Sequence, residues 1–129
     1  MPNNENFDLK GALDNLENLP TTIEWLKLLK HKHNNCSDYR VAKILGLTQQ
    51  GVSGLMLGKN VMSDVTAVKI AQELELSPLL VVMAAIRERT KNEALKDSID
   101  ALPKEFFKAG CYILLGFSLS AIHYSTYFS

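Results

Sequence analysis

The chain has 129 residues, 47% of them hydrophobic, with 14 basic against 14 acidic side chains and two cysteines. That length suits one domain, that apolar content excludes wholesale disorder, and two cysteines in unlike surroundings exclude a disulfide framework. Charge is unevenly spread: residues 1–20 carry Lys10 against four acids, residues 21–90 carry nine Lys and Arg against six Asp and Glu, and residues 91–129 are balanced. The basic middle suits a nucleic-acid partner better than the zero total does.

The start, MPNNENFDLKG, is polar and has no apolar signal core, so a cytoplasmic protein is expected. Residues 1–6 read as a disordered lead. Phe7, Leu9, Leu13, Leu16 and Leu19 approximate one helical stripe, which predicts a short amphipathic helix over 7–18 within an acidic arm, 1–20. Pro20 ends it. Thr21-Thr22-Ile23-Glu24 matches a capping box and opens the next helix, with Ile23, Leu26, Leu28 and Leu29 as its apolar face. Lys30, His31, Lys32 and His33 suit its C-terminal dipole, and Asn34-Asn35 closes it. Ser37 caps a second helix through Leu45, with Gly46 as its stop. Thr48 caps a third helix over 49–57. Ser63 caps a fourth, with Val65, Val68, Ile70, Ala71 and Leu74 apolar. Ser77-Pro78 opens a fifth, expected to run to about Asp97. Leu102-Pro103 punctuates, and a last apolar segment covers 106–128. No stretch alternates like a strand. The expected fold is all-α: a five-helix domain over 21–97 and a further hydrophobic helix within 98–129.

The run GLTQQGVSGLMLGK, residues 46–59, holds four glycines and ends in lysine, as phosphate-binding loops do. It fails as one. Gly58-Lys59 is followed by Asn60 where a hydroxyl must hold magnesium, Ser53 stands where the first glycine is needed, and the preceding segment is helical. A helix-turn-helix fits instead. Such a motif needs a small residue where its two helices meet, a residue tolerant of positive φ in the turn, and apolar locks on the second helix. Ala42, Gly46, Val52 and Leu55 supply these at one consistent spacing, with Leu47 as a further lock.

With those residues in place, SDYRVAKILGLTQQGVSGLMLGKN, residues 37–60, resembles the helix-turn-helix of the lambda-repressor-like, Cro/Xre-type regulators. The likeness continues through Ala67-Val68-Lys69-Ile70-Ala71 and Leu76-Ser77 and covers roughly residues 22–90. The SDYRVAKILG wording and the hydrophobic tail are also similar to small regulators of filamentous phages. The resemblance implies a sequence-specific DNA-binding regulator, a phage-type repressor, whose second motif helix enters the major groove of double-stranded DNA. Gln49, Gln50, Ser53 and Asn60 would then read bases, since a carboxamide pairs with adenine through N6 and N7. Ser37, Tyr39, Arg40, Lys43, Thr48 and Lys59 would meet phosphates. Gly54 would allow close approach of the backbone, and Gly51 is expected to face the first motif helix, where a side chain would clash. Asp38 departs from the pattern: repressors often carry Gln there, and a carboxylate repels phosphate.

Other constellations carry less. His31, His33 and Cys36 lack a fourth ligand nearby, so no metal or other cofactor is expected, and no nucleophile–base order suggests an enzyme. The apolar first half of the fifth helix reads either as core or as the seam of a homodimer. The stretch 109–128 has no Asp, Glu, Lys or Arg and reads either as an inner-membrane anchor or as a packing or oligomer contact. The rival function is an antitoxin or adaptor that uses the same fold to hold a protein partner.

Overall fold

The computed structural model describes Gly11, Leu13 and residues 18–102. Among them lie six helices and no strand: α1 (Thr22–Lys32), α2 (Asp38–Leu45), α3 (Gln49–Met56), α4 (Asp64–Leu74), α5 (Pro78–Arg89) and α6 (Glu93–Asp100). The all-α expectation holds for these residues.

Helix starts follow the side chains. Thr21 and Glu24 make the reciprocal capping box. Ser37, Thr48, Ser63 and Asn92 each accept from the backbone N–H three residues on. Such caps satisfy donors that a helix leaves free. Ser77 makes no side-chain cap bond; Pro78 at the first position opens α5 with no N–H to satisfy. Four helices end through a left-handed residue, Asn34 (φ 61°), Gly46 (φ 66°), Gly58 (φ 76°) and Glu75 (φ 59°). After each, an amide reaches back across the last turn: Asn35 to Lys30 O at 2.7 Å, Leu47 to Ala42 O at 2.9 Å, Lys59 to Gly54 O at 3.0 Å and Leu76 to Ala71 O at 2.8 Å.

The fifth expected helix is divided. α5 stops at Arg89, Thr90 is extended, and Asn92 caps α6 at the N–H of Leu95. Residues 87–93, RERTKNE, hold no apolar side chain, so the core-facing stripe lapses just where Asn92 offers a cap. A local side-chain acceptor offered to the backbone competes with continuing the helix, and here it wins. The helix count among the described residues is therefore six, not five.

One core joins α1 to α5. Trp25, Leu26, Leu29, Val41, Leu45, Val52, Ile70, Ala71, Leu76 and Val81 are buried in it, with α4 and α5 paired most extensively. Leu13 and Leu19 lie partly buried against it. The rest of the expected 7–18 helix lies outside the described residues, as does 103–129 with the apolar stretch 109–128. Among the described residues no helix is long and apolar enough to cross a membrane.

A polar knot ties the two ends of this core. Buried Thr22 donates its N–H and hydroxyl to Glu88 Oε1 at 2.8 and 2.7 Å, and its Oγ1 accepts from Met62 N–H at 3.1 Å. The Glu88 carboxylate thus sits at the N-terminus of α1, where the helix dipole favours it. Thr22→Val strands the Met62 amide and strips Glu88 of one donor. We expect a loss of about 1–3 kcal/mol in urea unfolding.

α6 is held more lightly. Ile99 is buried, and Arg87 grips Asp100 with two bonds of 2.5 and 2.9 Å. The hydrogen bond from Arg87 is the main reason the Asp100 carboxyl lies below its ordinary value, with the charges of Arg87 and Lys96 adding to it against desolvation. The same hydrogen bond raises Arg87. A carboxyl depressed in the folded state contributes stability above its unfolded value and loses it as pH falls through the folded one. Amide protection factors in α6 should therefore fall below about pH 4 while those of α1–α4 hold, and Asp100→Asn should show the same fall at neutral pH.

Candidate nucleic-acid interface

The α2–turn–α3 unit is built as its spacing requires. Ala42 on α2 is buried at the junction, Val52 and Leu55 lock α3 into the core, and Leu47 and Met56 pack partly against it. Gly46 occupies the left-handed turn position at φ +66°, and a Cβ there would also come within 3.1 Å of Lys69 Nζ. That ammonium donates to Leu45 O at 3.1 Å and satisfies the end of α2.

With its apolar side buried, α3 presents Gln49, Gln50 and Ser53 to solvent at its N-terminal end. These three and Asp38 line one open cleft of about 310 Å³. The starts of α2 and α3 therefore converge on the same surface. Ser37 Oγ accepts from Arg40 N–H at 3.2 Å and Thr48 Oγ1 from Gly51 N–H at 2.9 Å. Each hydroxyl proton remains able to donate outward. Two helix N-termini at one surface make it attractive to anions.

Asp38 is not a bare negative charge at this cleft. Lys30, reaching over from α1, is ion-paired with it. No local pattern signals this pair, because the two residues belong to separate helices and meet only through the packing of α1 on α2.

The same sorting applies to the other cations. Of the nine Lys and Arg in residues 21–90, Lys30 pairs with Asp38, Lys32 donates to Glu73 O, Lys69 to Leu45 O, Arg87 to Asp100 and Arg89 to Asp64. Lys27, Arg40, Lys43 and Lys59 have no ion pair or hydrogen-bond acceptor for their head groups among the described residues. Three of those four belong to α2 or follow α3. Lys43 lies over the ring of Tyr39, 5.4 Å from its centroid, and Tyr39 is 56% exposed. Arg40, Lys43 and Tyr39 stand on α2 outside the cleft lining, and Lys59 and Asn60 lie exposed just past the end of α3.

Gly51 is crowded from another side than expected, and the space at Gly54 has an occupant. A Cβ at Gly51 would meet Thr48 Oγ1 at 3.1 Å and Leu47 Cβ at 4.0 Å, and nothing of α2 within that range. The crowding comes from the cap of its own helix, not from the first motif helix, because Gly51 is the residue whose N–H the cap receives. A Cβ at Gly54 would meet Asn60 Nδ2 at 3.0 Å. The space kept open at Gly54 is taken by a side chain of this chain. Gly58 (φ +76°) turns the chain back, and Lys59 N–H donates to Gly54 O at 3.0 Å.

His33 Nε2 lies 3.5 Å from Glu73 Oε2, linking the ends of α1 and α4. Cys36 is half-buried against the core. No protein-family model, characterised protein or solved structure matches the chain in comparison.

Proposed function

We propose that the chain is a sequence-specific, double-stranded-DNA-binding transcriptional regulator of the helix-turn-helix type, a repressor that occupies an operator and blocks polymerase. The observation that carries this reading is the joint exposure of Gln49, Gln50 and Ser53 on one cleft, flanked by cations left free when the rest are used in tying helices together. α3 enters the major groove; its two carboxamides read adenine edges and Ser53 adds a less selective contact. Arg40, Lys43 and Lys59, with the helix starts at Ser37 and Thr48, meet phosphates and supply affinity without sequence information. The chain acts as a homodimer on paired half-sites about 34 Å apart, one DNA turn. It works as a binding protein in the cytoplasm, with no catalytic step.

A gel-shift series against DNA upstream of its own gene tests this. Neutralising three phosphates per chain, and so six per dimer, predicts a salt slope near −5 and binding weaker by about 10³-fold between 50 and 200 mM salt. Binding that ignores salt, or none at all to duplex DNA, overturns the proposal.

A further inference from the structure

Gly54 lies inside α3, where glycine weakens a helix relative to alanine. Its backbone does not require glycine, since the glycines with positive φ among the described residues are Gly46 and Gly58. What it does is leave a place. Gln50 and position 54 are four apart and share one helical face. The chain folds back over that face through left-handed Gly58 and the Lys59 N–H to Gly54 O bond of 3.0 Å. The Asn60 carboxamide then lies where a side chain at 54 would be, 3.0 Å from that missing Cβ. No hydrogen bond to another described residue occupies it, so its donor and acceptor are both uncommitted.

We propose that Gly54 is a positioning residue: by leaving its face of α3 empty it seats the Asn60 carboxamide one turn beyond Gln50, as a further reader of an adenine edge. This rests on the DNA-reading function proposed above. A carboxamide offers adenine N6 and N7 an acceptor and a donor together, and needs a defined orientation to do so. A Cβ at 54 pushes the amide out of that orientation without touching the core, the caps or any cation.

The test uses the full chain and four proteins: wild type, Gly54→Ala, Asn60→Ala and the double variant. Each selects from a randomised duplex pool, and its base preferences are compared. Gly54→Ala is expected to lose about 5- to 150-fold discrimination at one base position, the same position that Asn60→Ala loses. The double variant should lose no more than Asn60→Ala alone. The melting temperature of Gly54→Ala should stay level or rise, and its salt slope should match the wild type. A merely structural glycine would move stability and leave base preference alone. Unchanged preference in Gly54→Ala, or additive losses in the double variant, overturns the proposal. A DNA-free measurement separates it from the function it rests on: the Asn60 side-chain amide protons should show an NMR contact to the Gly54 Hα protons in the wild type. If that contact is absent, the seat does not exist, whatever the chain does with DNA. If it is present and the wild type selects no sequence, the DNA-reading function fails and the reading role of Asn60 with it.

Discussion

Replacing Gln49 and Gln50 together by alanine is expected to weaken binding to the selected operator by about 30-fold or more, and binding to random duplex hardly at all. A well-placed bidentate contact contributes about 1–3 kcal/mol of discrimination, so two contribute about 2–6 kcal/mol, the lower end corresponding to roughly 30-fold. Both side chains are exposed on α3 and neither is part of the core or a cap. Surface changes of this kind usually stay within about 0.5 kcal/mol in stability, and alanine suits a helix at least as well as glutamine. Arg40, Lys43 and Lys59 remain, so the electrostatic, sequence-independent part of binding persists. Competition gel shifts at fixed salt, with operator and scrambled duplex, measure both quantities. Equal loss on both duplexes would mean that the carboxamides are not sequence readers. No loss on either would mean that α3 does not meet DNA by this end.

The largest effect on folding is expected from Trp25→Ala. The indole is fully buried on α1 among residues from the other helices of the core. Truncating a buried aromatic ring to alanine costs about 3–5 kcal/mol, a large share of the roughly 5–15 kcal/mol that holds a typical domain together. Urea unfolding should lose most of its native baseline. Trp25→Phe separates volume from polarity. Trp25 Nε1 is buried with no hydrogen-bond partner among the described residues. Stranding a donor costs about 1–3 kcal/mol, so phenylalanine removes that penalty while giving up part of the ring volume. We expect Trp25→Phe to keep most of the stability that Trp25→Ala loses. Equal damage from both would show that the indole nitrogen is bonded in solution.

Sequence reading succeeds at the helix starts and misses Trp25, which the expected apolar face of α1 leaves out although it is fully buried. Ser37, Thr48 and Ser63 start helices because each hydroxyl satisfies an N–H within three residues, and Gly46 ends one because only its own backbone must turn left-handed. Those are local events, and a local window of sequence contains all their partners. The exposure of Gln49, Gln50 and Ser53 follows in the same way, from the apolar spacing of Val52 and Leu55 on the opposite side of one short helix. The misplaced end of α5 is also local, but two tendencies competed there. The helix-favouring charged run RERTKNE would let a helix continue while Asn92 offers a cap, and with no apolar residue in 87–93 periodicity does not rank them.

By itself, then, the sequence determined the all-α class of the described residues, the starts of most helices, the left-handed turn at Gly46 and the polar face of α3. The reason is that each depends on atoms close together in the chain. The tertiary structure alone decided that Lys30 quenches Asp38, that Lys69 closes the end of α2, that Glu88 sits on the start of α1, and which cations stay free beside α3. It also decided that Gly51 is crowded by its own cap and that Gly54 holds a place for Asn60. The cation pairings join helices that are distant in sequence, and the placing of Asn60 needs the chain to fold back on a finished helix. Whether a charge is spent on packing or left for a partner is settled only when the helices have docked.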